Sequence, residues 1–463
     1  RGIGYGLLRY LSPDPALRES LACLPEPEIV LNYTGHGSIG GGARRRFSLA
    51  PQGLGGASDP DRPRPRLLQV SIGAHGDQLH AHWGYSRAVH DEATITALAE
   101  QFIVELSGIV REVCPQRRSI AVSPPAEAMR RHGVPATAVA VIEDGEPAGV
   151  HNFGALRAGG DSPVTDDTLF RAGSISKHVT AVAALRMAGD GILDLDADVN
   201  ELLASWQLRA GPRPVTTRML LRHLAGLTVA HNKAYRPDEP VPTLPELLSA
   251  EGVRAELPAG ETFRKSNAHF WVVQQLIEDV TGRGLAEVVH DLVLAPLGMT
   301  HSSFDQAFPA VSGLPVALGH DEHGDVLPHG WAITPALAST GLWTTAADLA
   351  RMTVEIRRAY VNAGGTVLTQ ELARQLLTTG DAAVLYGLGT SVDHTGRDVE
   401  FGHVGESAGY RSMMLSRMAS GNGFVVLTNG ENGKEVHRAV ATEIGSQLGR
   451  QFGVAQAKTA WKD

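Results

Sequence analysis

Residues 179–195 read VTAVAALRMAGDGILDL, with apolar side chains at Val179, Val182, Leu185 and Ala188 before Gly189 and Gly191. This spacing predicts an amphipathic helix stopped by glycines. The same period predicts helices over Asp91 to Val113, Glu127 to His132, Phe270 to Val280 and Lys434 to Leu448. Alternating or β-rich runs predict strands elsewhere. EIVLNY (28–33) is one, and LLQVSIGAHGDQLHAHWGYS gives two around the turn His75-Gly76-Asp77. ATAVAVIEDGEPAGVHNFG gives two more about Glu143 to Glu146, and VEFGHVGE, YRSMMLSRM and NGFVVLTN give three in succession near the end. From about residue 126 onward, terminal helices frame an antiparallel sheet with a largely helical insertion between them, which is an α+β architecture.

The punctuation divides the chain. A Gly/Pro/Arg-rich loop runs from about Gly35 to Arg66, and PQRRSIAVSPP (115–125) reads as a linker. The expected parts are residues 1–114, the linker 115–125, a main domain over 126–455 and a tail over 456–463. At 463 residues the chain is long enough for two or three domains. A net charge of −9 gives no reason to expect nucleic acid or an anionic membrane as partner. No apolar run approaches a membrane span, and two cysteines fit a reducing cytoplasm better than a disulfide framework. The first residue is Arg1 rather than methionine, so the chain is expected to be a piece of something longer.

Candidate chemistry centres on Phe170-Arg-Ala-Gly-Ser174-Ile-Ser-Lys177, which puts a hydroxyl and an amine one turn apart at the start of a helix. A serine attacks well only if a base takes its proton, and a lysine is that base only when desolvated or beside another cation. Lysine is scarce here: six of the 41 basic residues are lysines, and arginine does not release its proton in a protein. Four of the six lie in polar or terminal stretches. The other two are Lys177 and Lys265.

The order Ser174-x-x-Lys177, then Ser266-Asn267, then His403-x-Gly405 resembles the penicillin-binding-protein-like serine hydrolases related to class C β-lactamases, over about 126 to 450. The resemblance implies a β-lactamase/transpeptidase-like fold in which Ser174 is acylated and Lys177 shares its proton. It implies further that Asn267 contacts lysine and substrate, and that His403 and Gly405 stand on a strand edging the cleft. Backbone N–H groups of Ser174 and Glu406 would form the oxyanion hole. One position departs from the pattern, because the middle motif normally opens with tyrosine and here opens with Lys265. Either a neutral Lys265 relays a proton, or it faces solvent and the site is impaired.

Upstream, Gly2-Ile-Gly-Tyr-Gly-Leu-Leu-Arg9-Tyr10 and Leu31-Asn32-Tyr33-Thr34-Gly35 resemble the last signature motifs of nonribosomal peptide synthetase epimerization domains, members of the condensation superfamily. Residues 1–114 would then be a partial condensation-superfamily α/β lobe, inert alone because no His-His pair occurs in the sequence.

Three other motifs compete. Gly159-Gly-Asp-Ser162 looks like a carrier-protein attachment site, but Pro163 and a loop follow where a helix is needed. Gly405-Glu-Ser407-Ala-Gly409 matches a nucleophile elbow, but a strand-like run follows it. His320-Asp-Glu-His323 resembles a metal cluster but reads as a solvated hairpin, so no metal or cofactor is expected. The combined reading is an enzyme of the Ser-x-x-Lys type that releases a peptide from a carrier-protein phosphopantetheine thioester, by cyclisation or hydrolysis, alongside upstream synthetase domains. The alternatives are a β-lactamase-related esterase or D-peptidase, modification of a tethered residue such as dehydration, and a noncatalytic docking module.

Overall fold

The computed structural model describes residues 12–23, 28–36, 66–75, 78–113, 120, 122–209, 211, 213–361, 364–380, 385–394 and 398–448. The chain divides into two compact units, residues 1–103 and 104–463. In the first, strands β1 (Ile29–His36), β2 (Leu68–His75) and β3 (Gln78–Tyr85) form a three-stranded sheet. β1 pairs with β2 in parallel and β2 with β3 antiparallel. Leu68, Val70 and Ile72 point to one face by the two-residue period of a strand, where they pack with Ile95 and Phe102 of the Glu92–Val113 helix. Asp91 begins that helix, its carboxylate accepting from Thr94 N–H at 2.7 Å. Of the two upstream motifs, 31–35 lies within β1 and Gly2 to Tyr10 lies outside the described residues.

The second unit is built on a six-stranded antiparallel sheet. Its members are β4 (Ala136–Glu143), β5 (Glu146–Gly154), β8 (Ser391–Asp393), β9 (Glu400–Ser407), β10 (Tyr410–Arg417) and β11 (Gly423–Thr428), in the order β5-β4-β11-β10-β9-β8. A short ladder pairs β6 (Phe170–Arg171) with β7 (Trp343–Thr344). The central strands alternate between two cores. Val139 and Val141 of β4 and Phe424 and Val426 of β11 meet Val440, Ala441 and Ile444 of the C-terminal helix Gly433–Gln447. Ala138, Ala140, Val425 and Leu427 face the larger core on the other side. Burying each large apolar side chain contributes about 1.5–3 kcal/mol. Ile120 and Val122 join the first of these cores, and the N–H of Ser123 donates to Glu443 at 3.0 Å, so this part of the segment read as a linker is packed.

The helix predicted after Ser174 spans Ile175–Gly189. It is not amphipathic in place. Residues 175–185 and Met187 are all buried, because alanines and a threonine occupy the face that the period assigned to solvent, and they are small enough to be packed over. The Asn267–Thr281 helix lies in the same helical lobe, buried from Ala268 to Ile277 and ended by Gly282 in the left-handed conformation. Among the described residues no helix is long and apolar enough to cross a membrane.

Candidate active site

Ser174 is the cap residue of its helix, yet its side chain makes no capping hydrogen bond. Its Oγ lies 2.9 Å from Lys177 Nζ instead. The turn is tightened by Ser176, whose Oγ donates to Gly173 O at 2.6 Å. Lys177 is fully buried, and its Nζ also donates to Ser339 O at 3.0 Å. Burial first, and the charge of Lys265 second, push the Lys177 amine well below the usual lysine range. An uncharged amine donates to the Ser339 carbonyl and still has a lone pair for the serine proton. That is the state a base requires.

The middle motif adjoins the same site through the charge of Lys265, which acts on Lys177. Ser266 caps the Asn267–Thr281 helix by accepting from Ala268 N–H at 3.1 Å, while its Oγ donates to Thr228 O at 2.7 Å and accepts from Ala230 N–H at 2.9 Å. This serine therefore ties the 228–230 loop to the helix start. Asn267 follows it as the first helical residue, half-buried, with its N–H donating to Ala230 O at 3.3 Å. Lys265 is exposed, and its charge reaches both Lys177 and His403.

Strand β9 packs against the serine turn. His403 is buried, with Nδ1 2.7 Å from Val404 O and Nε2 3.2 Å from the hydroxyl of Tyr386. Burial, then Lys177 and Lys265, hold its imidazole well below the ordinary histidine range. Gly405 and Gly173 let two backbones touch. A Cβ at 405 would lie 2.0 Å from Ala172 O and 2.2 Å from Ser412 Oγ, and a Cβ at 173 would lie 2.6 Å from Glu406 N. Gly173 also has a φ of +54°, where glycine carries no steric penalty. The strand carrying Glu406 is thereby drawn against the turn carrying Ser174. Burial raises the Glu406 carboxyl, but its ion pair with Lys434 at 2.6 Å outweighs that and keeps it lowered.

The structure thus brings Ser174, Lys177, Lys265 and His403 together, with Asn267 at the adjoining helix start and Gly405 and Glu406 against the serine turn. Two participants were missed from sequence: the Ser339 carbonyl on Lys177 and the Tyr386 hydroxyl on His403. The competing motifs lack the local structure that their chemistry needs. Ser162 lies in a loop, and Ser407 ends β9 and is followed by a turn into β10 rather than by a helix. His320 is buried with Nδ1 2.9 Å from Asn429 O and Nε2 accepting from Ala158 N–H at 3.0 Å, so both ring nitrogens serve the backbone. His323 is exposed beside Glu322.

The Beta-lactamase family model matches residues 125–448, more than half of the chain. The chain belongs to the beta-lactamase family. Penicillin-binding protein 4 of Amycolatopsis lactamdurans is 26% identical over 342 residues, covering 69% of this chain and 85% of that protein. The structure of the octameric penicillin-binding protein homologue from Pyrococcus abyssi superposes with a TM-score of 0.58 at 24% identity, covering 70% of this chain and 76% of that one. That likeness establishes the fold: an α+β, β-lactamase/transpeptidase-like domain. The N-terminal region matches a different class of protein. Tyrocidine synthase 2 of Brevibacillus parabrevis is 36% identical over 114 residues, covering 24% of this chain. The match spans about 3% of the length of that synthetase. A beta-lactamase-family domain is therefore joined in one chain to a region similar to a small part of a peptide synthetase.

Proposed function

We propose that the protein releases a carrier-bound nonribosomal peptide through an acyl-Ser174 intermediate. The reading is carried by the buried Lys177 amine, held well below the usual lysine range and 2.9 Å from Ser174 Oγ, in a chain whose N-terminal quarter matches peptide synthetases. Ser174 Oγ attacks the thioester carbonyl carbon as its proton passes to Lys177 Nζ. The oxyanion is met by the backbone N–H groups of Ser174 and Glu406, held near each other by the Gly173 and Gly405 contacts. The C–S bond breaks, and the phosphopantetheine thiolate leaves with the proton from Lys177. An amine of the same peptide, or water, then attacks the ester carbonyl, gives its proton to Lys177, and the C–O bond to Ser174 breaks as Oγ is reprotonated. Asn267 and Lys265 line the substrate side, and His403 forms the wall of β9.

Intact-mass analysis after mixing with a synthetic peptidyl thioester tests this. The expected result is a mass increase equal to the acyl group, lost in Ser174→Ala, together with free cyclic or linear peptide. Turnover of simple esters or β-lactams with none of thioesters would favour the esterase or D-peptidase reading. A chain that forms no acyl-enzyme with any donor would be a docking module.

A further inference from the structure

Tyr386 lies outside every motif that carries the family resemblance, yet its hydroxyl is 3.2 Å from His403 Nε2. The other ring nitrogen, Nδ1, is 2.7 Å from Val404 O. A carbonyl only accepts, so Nδ1 carries the ring hydrogen, and Nε2 is left as the acceptor of the phenol proton. Burial pushes the Tyr386 phenol upward, so it remains a donor throughout the neutral range.

We propose that Tyr386 is a positioning residue that locks His403 in its neutral Nδ1–H form and so keeps the imidazole out of the proton exchange between Ser174 and Lys177. The proposal rests on Ser174 being the acylated nucleophile. Without the Tyr386 bond Nε2 would be an open acceptor close enough to Lys177 to feel its charge, and would offer the Ser174–Lys177 pair a second place for the proton. With the Nε2 lone pair engaged by Tyr386, that second place is removed. The groups facing His403 include Lys177 and His178 from the Ile175–Gly189 helix, Lys265 from the middle motif, His223, and Tyr386 itself. His223 and His269 stand behind Tyr386 and also face Lys177. The tyrosine ring is held at 5.1 Å from His223, 5.8 Å from Phe263 and 6.1 Å from His403, centroid to centroid, so its hydroxyl is aimed by packing on three sides.

Tyr386→Phe keeps those ring contacts and removes only the donor. In the full chain labelled with 15N-histidine, and with the His403 signals assigned by their loss in His403→Gln, the wild type should show Nδ1 protonated and Nε2 as a hydrogen-bonded acceptor. In Tyr386→Phe the Nε2 signal should move downfield as its hydrogen bond is lost. Labelling of Ser174 by a fluorophosphonate should slow by about two- to tenfold, the range a single neutral hydrogen bond supports. A role in packing alone would leave the nitrogen signal in place. The proposal is overturned if wild-type His403 carries its hydrogen on Nε2, or if Tyr386→Phe leaves either the Nε2 signal or the labelling rate unchanged. A wild-type chain that takes no label at Ser174 would defeat the acyl-serine reading instead, and the nitrogen spectrum would still decide whether the lock exists.

Discussion

Gly405→Ala tests whether the contact between the serine turn and β9 matters for chemistry rather than for folding alone. The new methyl carbon would lie 2.0 Å from Ala172 O and 2.2 Å from Ser412 Oγ, where ordinary contact begins near 3.4 Å. The two segments must therefore part by more than an ångström. Ala172 is two residues before Ser174, and Gly405 precedes Glu406, so the parting opens the space between the two proposed oxyanion donors. Misplacement of about 1 Å costs on the order of 100-fold in rate. The same overpacking destabilises the fold by about 1–3 kcal/mol. Gly402→Ala, also on β9, supplies the control, since its methyl would lie 2.0 Å from Met414 O of β10 rather than against the serine turn. The two positions are three residues apart, roughly 10 Å along a strand. Both variants should lose stability in urea, and only Gly405→Ala should lose about two orders of magnitude in fluorophosphonate labelling. Equal labelling rates in the two variants would refute the oxyanion placement.

Further outcomes follow from the same geometry. Ser174→Ala should abolish acyl labelling with the fold intact, and a label retained at Ser407 would overturn the nucleophile assignment. Lys177→Arg keeps a cation that does not accept the serine proton, so thioester turnover should fall nearly as far as in Ser174→Ala, and wild-type turnover would remove Lys177 as the base. Lys265→Tyr restores the residue usual in the resembled family; acylation should persist while peptide release slows, and a faster variant would mark Lys265 as a defect. If the N-terminal region derives from an epimerization domain, the acyl donor ends in a D-residue, and kcat/KM on paired thioesters should favour D by roughly 10- to 200-fold, with equal rates counting against the coupling of the two regions.

How much of this was legible in the sequence depended on what each feature requires. The strands β4, β9, β10 and β11 were readable because alternation fixes which residues face each core. Ser174 and Lys177 were readable because helical spacing places them together whatever else packs around them. The burial of their helix on every side from Ile175 to Leu185 was not. Ala181, Ala183 and Ala184 are compatible with solvent or with a close neighbour, and only the rest of the lobe decides between these. The ladder of Phe170–Arg171 with Trp343–Thr344 is two residues long, too short to generate a pattern. Ser339 acts on Lys177 through its carbonyl, which every residue possesses. Tyr386 sits 17 residues from His403 on a different segment, with no period relating them. Ser266 was read as part of a motif, but its capping bonds give it a structural task that the motif alone did not reveal.

Lys177 also makes stability depend on pH in a direction that can be worked out. Burial, reinforced by Lys265, holds its folded pKa well below the ordinary lysine value. In the unfolded chain the amine binds a proton anywhere below about 10.4. In the folded chain it stays uncharged until the pH falls through the lower folded value. Between those two points the unfolded state holds one more proton, so the contribution of this residue to stability rises with pH, by up to about 1.4 kcal/mol per unit. Below the folded value the penalty is complete, and above the unfolded value it vanishes. Lys177→Met keeps much of the side-chain volume beside Phe270 and removes the titrating group, at the cost of leaving the Ser339 carbonyl without its Lys177 donor. That cost does not depend on pH. The difference in unfolding free energy between variant and wild type, measured by urea titration from neutral pH upward, should therefore favour the variant most at the low end and decline steadily toward pH 10. His403 and His223, whose folded values burial also lowers, are uncharged throughout this window and cancel in the difference. A difference that stays flat across the window would mean that folding leaves the protonation of Lys177 unchanged, and a lysine that remains charged in the folded protein is no base for Ser174.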